Sequence, residues 1–444
     1  MGLPRMRAVV AIGAVIAVAG ASCGQTTSSR RPTPPLGADA APPHGAFCSL
    51  PGSVVWTTQG PRIVPGGDSG APDLGWLQLP AGFCAHFFAT VKTVRQLKFA
   101  PDGDLFAASP TRATTGGGNN GVAGVVVLPD DDHDGSADSS ITFLGNLDAV
   151  QGLMFANGYL YYQDDTIVRR VAFREGDRRP SAVSETVADM TAWPQDRTHW
   201  PKVFDMARDG TIYVSNGGSQ GDACESTGAV RGAIFKLTAD GSTSVVAKGF
   251  RNPIALRCES NHDVCLAAEL ALDYSWTVGR EKIVPVRQGD DWGYPCCATR
   301  DTSYAGTAYT DTHQAPDCSG VSAETASFVI GHTPFGIDFE TGRWPPPWAG
   351  RAIVTLHGDY GTWAGARIVA IALDPQTGLP LPSSELSGAG TDPANMLQFA
   401  SGWDDGNHDH GRPAALTFAP DGRLFLGDDW NGAVIWIAPI GLLP

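Results

Sequence analysis

The chain has 444 residues, 42% hydrophobic, 17% charged and 9% aromatic, which excludes a disordered or collagenous protein and leaves room for one large domain or two ordinary ones. Its 54 glycines and 33 prolines, with few helix-forming runs at a 3.6 period, belong to a fold of many short strands. The formal charge of −15 argues against nucleic acid or another polyanion as partner, because phosphate recognition rests on clustered cations.

In chain order, the first segment is an address. Arg5 and Arg7 precede an apolar run from Ala8 to Ala21, too short to span a bilayer and ending in small residues, as a cleavable export signal does. Gly20-Ala21-Ser22-Cys23 resembles a bacterial lipobox, with Gly20 where a large aliphatic residue is usual. Residues 1–23 are therefore expected to be a lipoprotein-type signal whose Cys23 carries a membrane anchor in the cell envelope. Residues 24–46, rich in Pro, Ser and Thr, form a flexible tether, and residues 47–444 a single domain.

Eight cysteines remain after Cys23, an even number in an exported chain, and they read as four disulfides. Cys258 and Cys265 bracket a hairpin loop and are expected to join across it. Cys48 and Cys84 flank the start of the domain, leaving Cys224, Cys296, Cys297 and Cys318 to pair among themselves. The adjacent Cys296-Cys297 is poor zinc spacing, and no Cys-x-x-Cys-His haem motif exists.

Six stretches repeat one pattern in full or in part: an alternating apolar strand, a tight turn, a second alternating strand. They start at Leu97, Leu153, Phe204, Ile254, Gly336 and Leu416. Asp-Gly or Asn-Gly occupies most of the turns, the strongest short-range hairpin signal because primed turns need the positive φ these residues tolerate. The spacing predicts an all-β, six-bladed β-propeller of four-stranded antiparallel sheets, with the strand near Phe83–Val91 pairing with the last near Ala433–Ala438 to lock the ring.

An ordered set of local motifs then narrows the reading. Leu79-Pro-Ala-Gly-Phe, His199, Asp209-Gly210-Thr-Ile-Tyr-Val-Ser, Gly249-Phe-Arg-Asn-Pro, Gly289-Asp-Asp-Trp-Gly-Tyr-Pro, His332-Thr-Pro-Phe-Gly, His357-Gly358, Gly411-Arg-Pro and Ala419-Pro-Asp-Gly succeed one another along the chain. Over about residues 79 to 440 the sequence resembles the soluble pyrroloquinoline quinone (PQQ) dependent sugar dehydrogenases, the glucose/sorbosone dehydrogenase-like propellers. The resemblance implies oxidation of a sugar hydroxyl, with a histidine taking the proton, hydride passing to PQQ, and calcium polarising the quinone.

On that resemblance His199 is the base, Arg251 and Asn252 bind the cofactor with Arg412, His332 and His357, and Gln151 contacts the sugar. The second family arginine falls at Ala414, and His357 stands where glucose-oxidising members carry lysine. The carboxylate that holds the family's histidine has no obvious counterpart in Asn216-Gly-Gly-Ser-Gln-Gly-Asp, and Asp222 reaches only if the loop shifts. Backbone carbonyls near Ala271 and Leu272, beside Glu269 and Asp273, correspond to the cofactor calcium.

Independently of any family, Asp130, Asp132, Asp134 and Asp138 alternate around Gly135 like the start of an EF-hand loop, with Ile141 where the bidentate Glu would stand, and predict a structural calcium loop. Trp344-Pro-Pro-Pro-Trp348 reads as aromatic packing and Asn407-His-Asp-His410 as a polar pocket rim. Gly-x-Ser-x-Gly and His-Glu-x-x-His are absent, so hydrolase motifs have no support. The expected activity is PQQ- and calcium-dependent oxidation of an aldose or related alcohol, electrons passing to an unidentified acceptor. The alternatives are a propeller that binds carbohydrate or protein without turnover, and a metal-dependent lactonase.

Overall fold

The computed structural model describes residues 46–112, 121–193, 198–218, 231–238, 241–271, 279–304, 317–359, 361–385, 392–406 and 408–443. The signal, Cys23, nearly all of the tether, Asp222, Cys224, Leu272 and Asp273 lie outside them. Among the described residues no helix is long and apolar enough to cross a membrane.

Six sheets follow one another as the repeats require. Blade 1 runs Gln96–Phe99, Leu105–Ser109, Gly124–Leu128 and Ile141–Gly145, and blade 2 Leu153–Ala156, Tyr159–Asp164, Ile167–Ala172 and Glu185–Asp189. Blade 3 is Phe204–Met206, Ile212–Asn216, Ala233–Leu237 and Thr243–Lys248. Blade 4 is Asn252–Glu259, Val264–Leu270, Glu281–Pro285 and Ala326–Phe328, with Ser383–Ser384 added in parallel. Blade 5 is Pro334–Phe339, Ala352–Leu356, Arg367–Ile371 and Met396–Ala400. Blade 6 takes Pro413–Phe418, Leu424–Asp428 and Ala433–Pro439 from the end of the chain and Phe83–Thr90 from its beginning. All six sequence repeats coincide with inner strands, and these touch in sequence from blade 1 through blade 6 and back to blade 1.

Closure is by strand pairing, with Ala433 opposite Thr90 and Pro439 opposite Phe83, so the beginning and the end of the domain are locked into one sheet. The hairpin Val54–Thr57/Gly60–Ile63 extends this closing blade outward, and Cys48–Cys84 fastens the approaching chain to it. Cys258–Cys265 spans its hairpin as expected, and Cys297–Cys318 settles one pairing that spacing left open. Cys296 is also disulfide-bonded.

Apolar burial is distributed between blades. One buried cluster joins each pair of neighbours, for example Phe106, Phe143, Leu160 and Tyr162 between blades 1 and 2, and Ile254, Phe335, Ile337 and Val354 between blades 4 and 5. Trp344 belongs to the cluster between blades 5 and 6, donates to the Gly422 carbonyl at 2.9 Å and is 2% exposed, which makes it the packing residue the sequence implied.

The axis carries charge instead. Arg257 on blade 4 donates to Asp205 of blade 3 at 2.9 Å and to Asp338 of blade 5 at 2.8 Å, and Asp338 also accepts the Phe418 amide of blade 6 at 2.8 Å. Lys98 of blade 1 lies buried in the same field; burial pulls its ammonium below the usual lysine range, against the two carboxylates. Burial alone would raise Asp205, but Lys98 and Arg257 hold it below the ordinary carboxylate range. Removing one member leaves the others uncompensated in low dielectric, a loss of about 3 kcal/mol or more for a buried pair. Arg257→Met should therefore lower stability by about that amount in chemical denaturation, and an unchanged midpoint would show that the axial ions do not tie the blades.

Candidate active site

In an antiparallel blade the inner strand starts, and the second strand ends, at the same end of the ring. Residues just before an inner strand or just after a second strand are thereby gathered on one face. Arg95, Gln151, His199, Arg251, His332 and Arg412 hold the first position, and Gly217, Ala271, His357 and Asp429 the second. His199, Arg251 and Arg412 thus share one end of the axis.

A recurrent device fixes where each inner strand begins. A polar side chain on the second strand accepts an amide hydrogen from the start of an inner strand: Gln163 from Gln151 and Lys202, both at 3.1 Å, Ser215 from Val203 at 3.1 Å, Glu269 from Arg251 at 2.6 Å, Thr355 from Gly336 at 2.8 Å, and Asp428 from Arg412 at 2.8 Å. In blades 4, 5 and 6 the register shifts at this place, between Pro253 and Ala255, Pro334 and Gly336, and Pro413 and Leu416. In blade 5 the amide so held, Gly336, lies at the shift itself, whereas in blades 4 and 6 it belongs to the arginine just ahead of the strand.

His199 is 3% exposed, and its Nδ1 lies 2.5 Å from the Gly218 carbonyl. A carbonyl only accepts, so Nδ1 carries the hydrogen. Among the described residues a backbone oxygen just after the second strand of blade 3 thus orients the ring; Asp222 lies outside them. Gly218 is itself held by its amide on the Arg251 carbonyl at 2.6 Å. A methyl group on Gly217 would stand 2.5 Å from His199 Cβ, 2.7 Å from the His199 carbonyl oxygen and 3.4 Å from Asn252 Oδ1, so only glycine admits this close packing.

Beside it, Arg251 Nη1 donates to the Ala271 carbonyl at 2.7 Å. This is the carbonyl the resemblance assigns to the cofactor calcium; its companions Leu272 and Asp273 lie outside the described residues. Gln151 Nε2 donates to the Ile254 carbonyl at 3.1 Å, while Gln151 Oε1 and Asn252 Oδ1 are buried without hydrogen-bond partners. Across the axis Arg412 donates to the carbonyls of His357 and Gly358 at 2.8 and 2.6 Å. Asp429 accepts from Arg95 at 2.5 Å and meets His357 Nε2 at 2.9 Å. Burial and Arg412 push His357 down to about 4, so it is neutral and donates to Asp429. Asp429 remains ionised, because the neighbouring cations outweigh its burial.

His332, expected to bind the cofactor, meets Glu385 through Nδ1 at 2.6 Å, and Arg367 pairs with the same carboxylate. Ala414 is wholly buried and adds no charge at the family's second arginine position. Sequence reading missed Arg95, Asp429 and Gln163; their signal was position in the repeat, immediately before an inner strand or within or after a second one.

Two more carboxyls complete the electrostatics. Burial pushes Glu269 and Asp428 up to about 8, so both are protonated near neutrality while Arg95, Lys202, Arg251 and Arg412 surround the axis. Among the described residues this face therefore holds four cationic side chains, with Arg95 paired to Asp429; such groups can clasp carboxylates. In the predicted calcium loop, Asp130, Asp132 and Asp138 bring carboxylate oxygens within 4.8 Å of one another, and Asp130 Oδ1 is buried without a partner. Asp134 does not join them: the chain turns at Gly135, φ +92°, and Asp134 caps the Ser136 amide at 2.8 Å. Asn407 lies outside the described residues, and His410 stacks on Trp76.

Residues 72–269 match the model of a domain of unknown function, DUF7133. No curated protein matches the chain by sequence. Among solved structures, the PQQ domain of pyranose dehydrogenase from Coprinopsis cinerea superposes with a TM-score of 0.66 at 15% identity, over 83% of this chain and 98% of that one. A Trichoderma reesei carbohydrate-active enzyme of family AA12 gives 0.65 at 18%, over 82% and 97%. The PQQ-bound aldose sugar dehydrogenase of Streptomyces coelicolor gives 0.53 at 17%, over 81% and 99%.

The buried carboxyls make a test. Between about pH 5 and 8 the unfolded chain carries Glu269 and Asp428 ionised while the folded chain keeps them protonated, so stability falls as pH rises through that window. Glu269→Gln should raise the melting temperature more at pH 8 than at pH 5, and an equal change at both would contradict the assignment. With an inner ring of six strands and one polar face, the chain has the six-bladed fold shared by the PQQ-dependent sugar dehydrogenases.

Proposed function

We propose that the chain is an oxidoreductase that uses PQQ to oxidise a sugar, an aldose or related alcohol, at the cationic face. The observation that carries this reading is His199, held by the Gly218 carbonyl through Nδ1–H, on the same face as Arg251, Asn252 and Arg412. Arg251 and Arg412 would hold the carboxylates of the cofactor, and Asn252 with Gln151 the polar edges of cofactor and sugar. When bound, the quinone supplies the acceptor for the hydride that leaves the hydroxyl-bearing carbon.

The chain's own part is proton handling and orientation. His199 Nε2 takes the hydroxyl proton, and the imidazolium that forms shares its charge with the Gly218 carbonyl through Nδ1–H. Arg251, aimed at the Ala271 carbonyl, brings positive charge to the region where the resemblance implied calcium. The carbonyl also bears on the alternative of a silent binding propeller, because it supplies the orienting acceptor whose apparent loss motivated that alternative.

Reconstitution with PQQ should give dye reduction with aldoses. His199→Ala should abolish turnover while leaving quinone binding intact, and Gly217→Ala should lower kcat about a hundredfold by displacing the imidazole. Micromolar PQQ producing neither a quinone absorbance change nor binding would refute the proposal and favour the non-catalytic reading.

We also propose a structural calcium at Asp130, Asp132 and Asp138, supported by their convergence and by the buried, unpartnered Asp130 Oδ1. Chelation should lower the melting temperature, calcium should restore it, and Asp132→Asn should be insensitive to both. A parent protein indifferent to chelator would remove the site.

A further inference from the structure

Away from the axis, a cavity of about 240 Å³ opens between blade 6 and the segment that crosses it ahead of the closing strand. Leu74, Leu426 and Ile435 form its apolar walls, and Trp76 and Trp403 its aromatic ones. The two indoles meet edge to face, with centroids 5.4 Å apart and planes at 75°. The outer side of Trp76 is backed by the His410 ring, parallel at 4.4 Å. Every carboxyl-bearing residue of the lining is an aspartate, Asp73, Asp409 and Asp428, and no lysine or arginine lines it.

Asp428 is 5% exposed. Its Oδ1 takes the amides of Arg412, Trp430 and Asn431 at 2.8, 2.7 and 3.3 Å, whereas its Oδ2 is buried with no hydrogen-bond partner. A carboxyl oxygen left without a partner is costly to bury, and a positively charged guest would relieve that cost. The touching tryptophan pair adds an aromatic wall, and an indole face turned to the cavity would attract an alkylated ammonium through its negative quadrupole. An anion would meet only acidic groups, and a plain hydrocarbon would leave Asp428 unsatisfied.

We propose that this cavity binds a small organic cation, an ammonium group lodged against the wall formed by Trp76 and Trp403 and beside Asp428. The site is independent of the redox reading and needs neither quinone nor sugar. Burial keeps Asp428 protonated near neutrality, so the bound cation displaces its proton. The ionisable groups facing Asp428 are Asp429 beside it, Arg412 and Asp409 on the neighbouring loop, His410 behind Trp76, and Asp73 on the crossing segment.

Calorimetry on the full chain tests this with choline and its neutral isostere 3,3-dimethylbutan-1-ol as probes. Choline should bind at least about tenfold more tightly than the isostere. At pH 7, titrations in buffers of different ionisation enthalpy should show roughly one proton released per choline bound. Asp428→Asn should abolish the proton release and weaken choline about tenfold. Trp76→Leu, on the wall remote from the backbone of blade 6, should weaken choline while leaving the melting temperature within a degree or so of the parent. Equal affinity for the isostere, undiminished proton release in Asp428→Asn, or no choline binding at millimolar concentration in the folded parent would each overturn the proposal.

Discussion

The site depends on one constraint of direction. Every inner strand begins at the same end of the ring, and its hairpin partner returns there, so two positions per blade are delivered to a common face whatever their separation along the chain. His199 and Arg412 are far apart in sequence yet share that face because each stands in the segment that leads into an inner strand. In blades 4, 5 and 6 the register shifts near the strand start, and Glu269, Thr355 and Asp428 grip the backbone there, where functional side chains emerge.

Much of the fold was legible in the residues. The Asp-Gly turns at Asp102-Gly103, Asp209-Gly210 and Asp421-Gly422 mark hairpins because their geometry is local, and the closing pair was readable from two apolar strands at opposite ends of the chain. The outer hairpin at Val54–Thr57 escaped notice because its turn, Thr58-Gln59, has no residue that favours positive φ. The small hairpin Cys297–Thr299/Thr302–Ser303 is too short for periodicity to register, and it sits beside the Cys297–Cys318 bridge.

The site was legible where it used distinctive chemistry and opaque where it used the backbone. His199, Arg251 and Arg412 announce themselves as residue types. Arg95, Gln163 and Asp429 acquire meaning only after the ring has closed and buried them together. The Gly218 carbonyl could not be found by searching for a carboxylate, since any residue supplies that oxygen. What the sequence does carry is the pair of glycines that lets the chain pass so close to an imidazole.

Salt bridges at the far end of the axis have a directional consequence. Lys98, Asp205, Arg257 and Asp338 interlock from four blades across the inner strands and form a floor beneath the polar face. Under the proposed redox chemistry, a molecule lodged above that floor enters from the polar face, and the sugar and the electron acceptor would share that mouth.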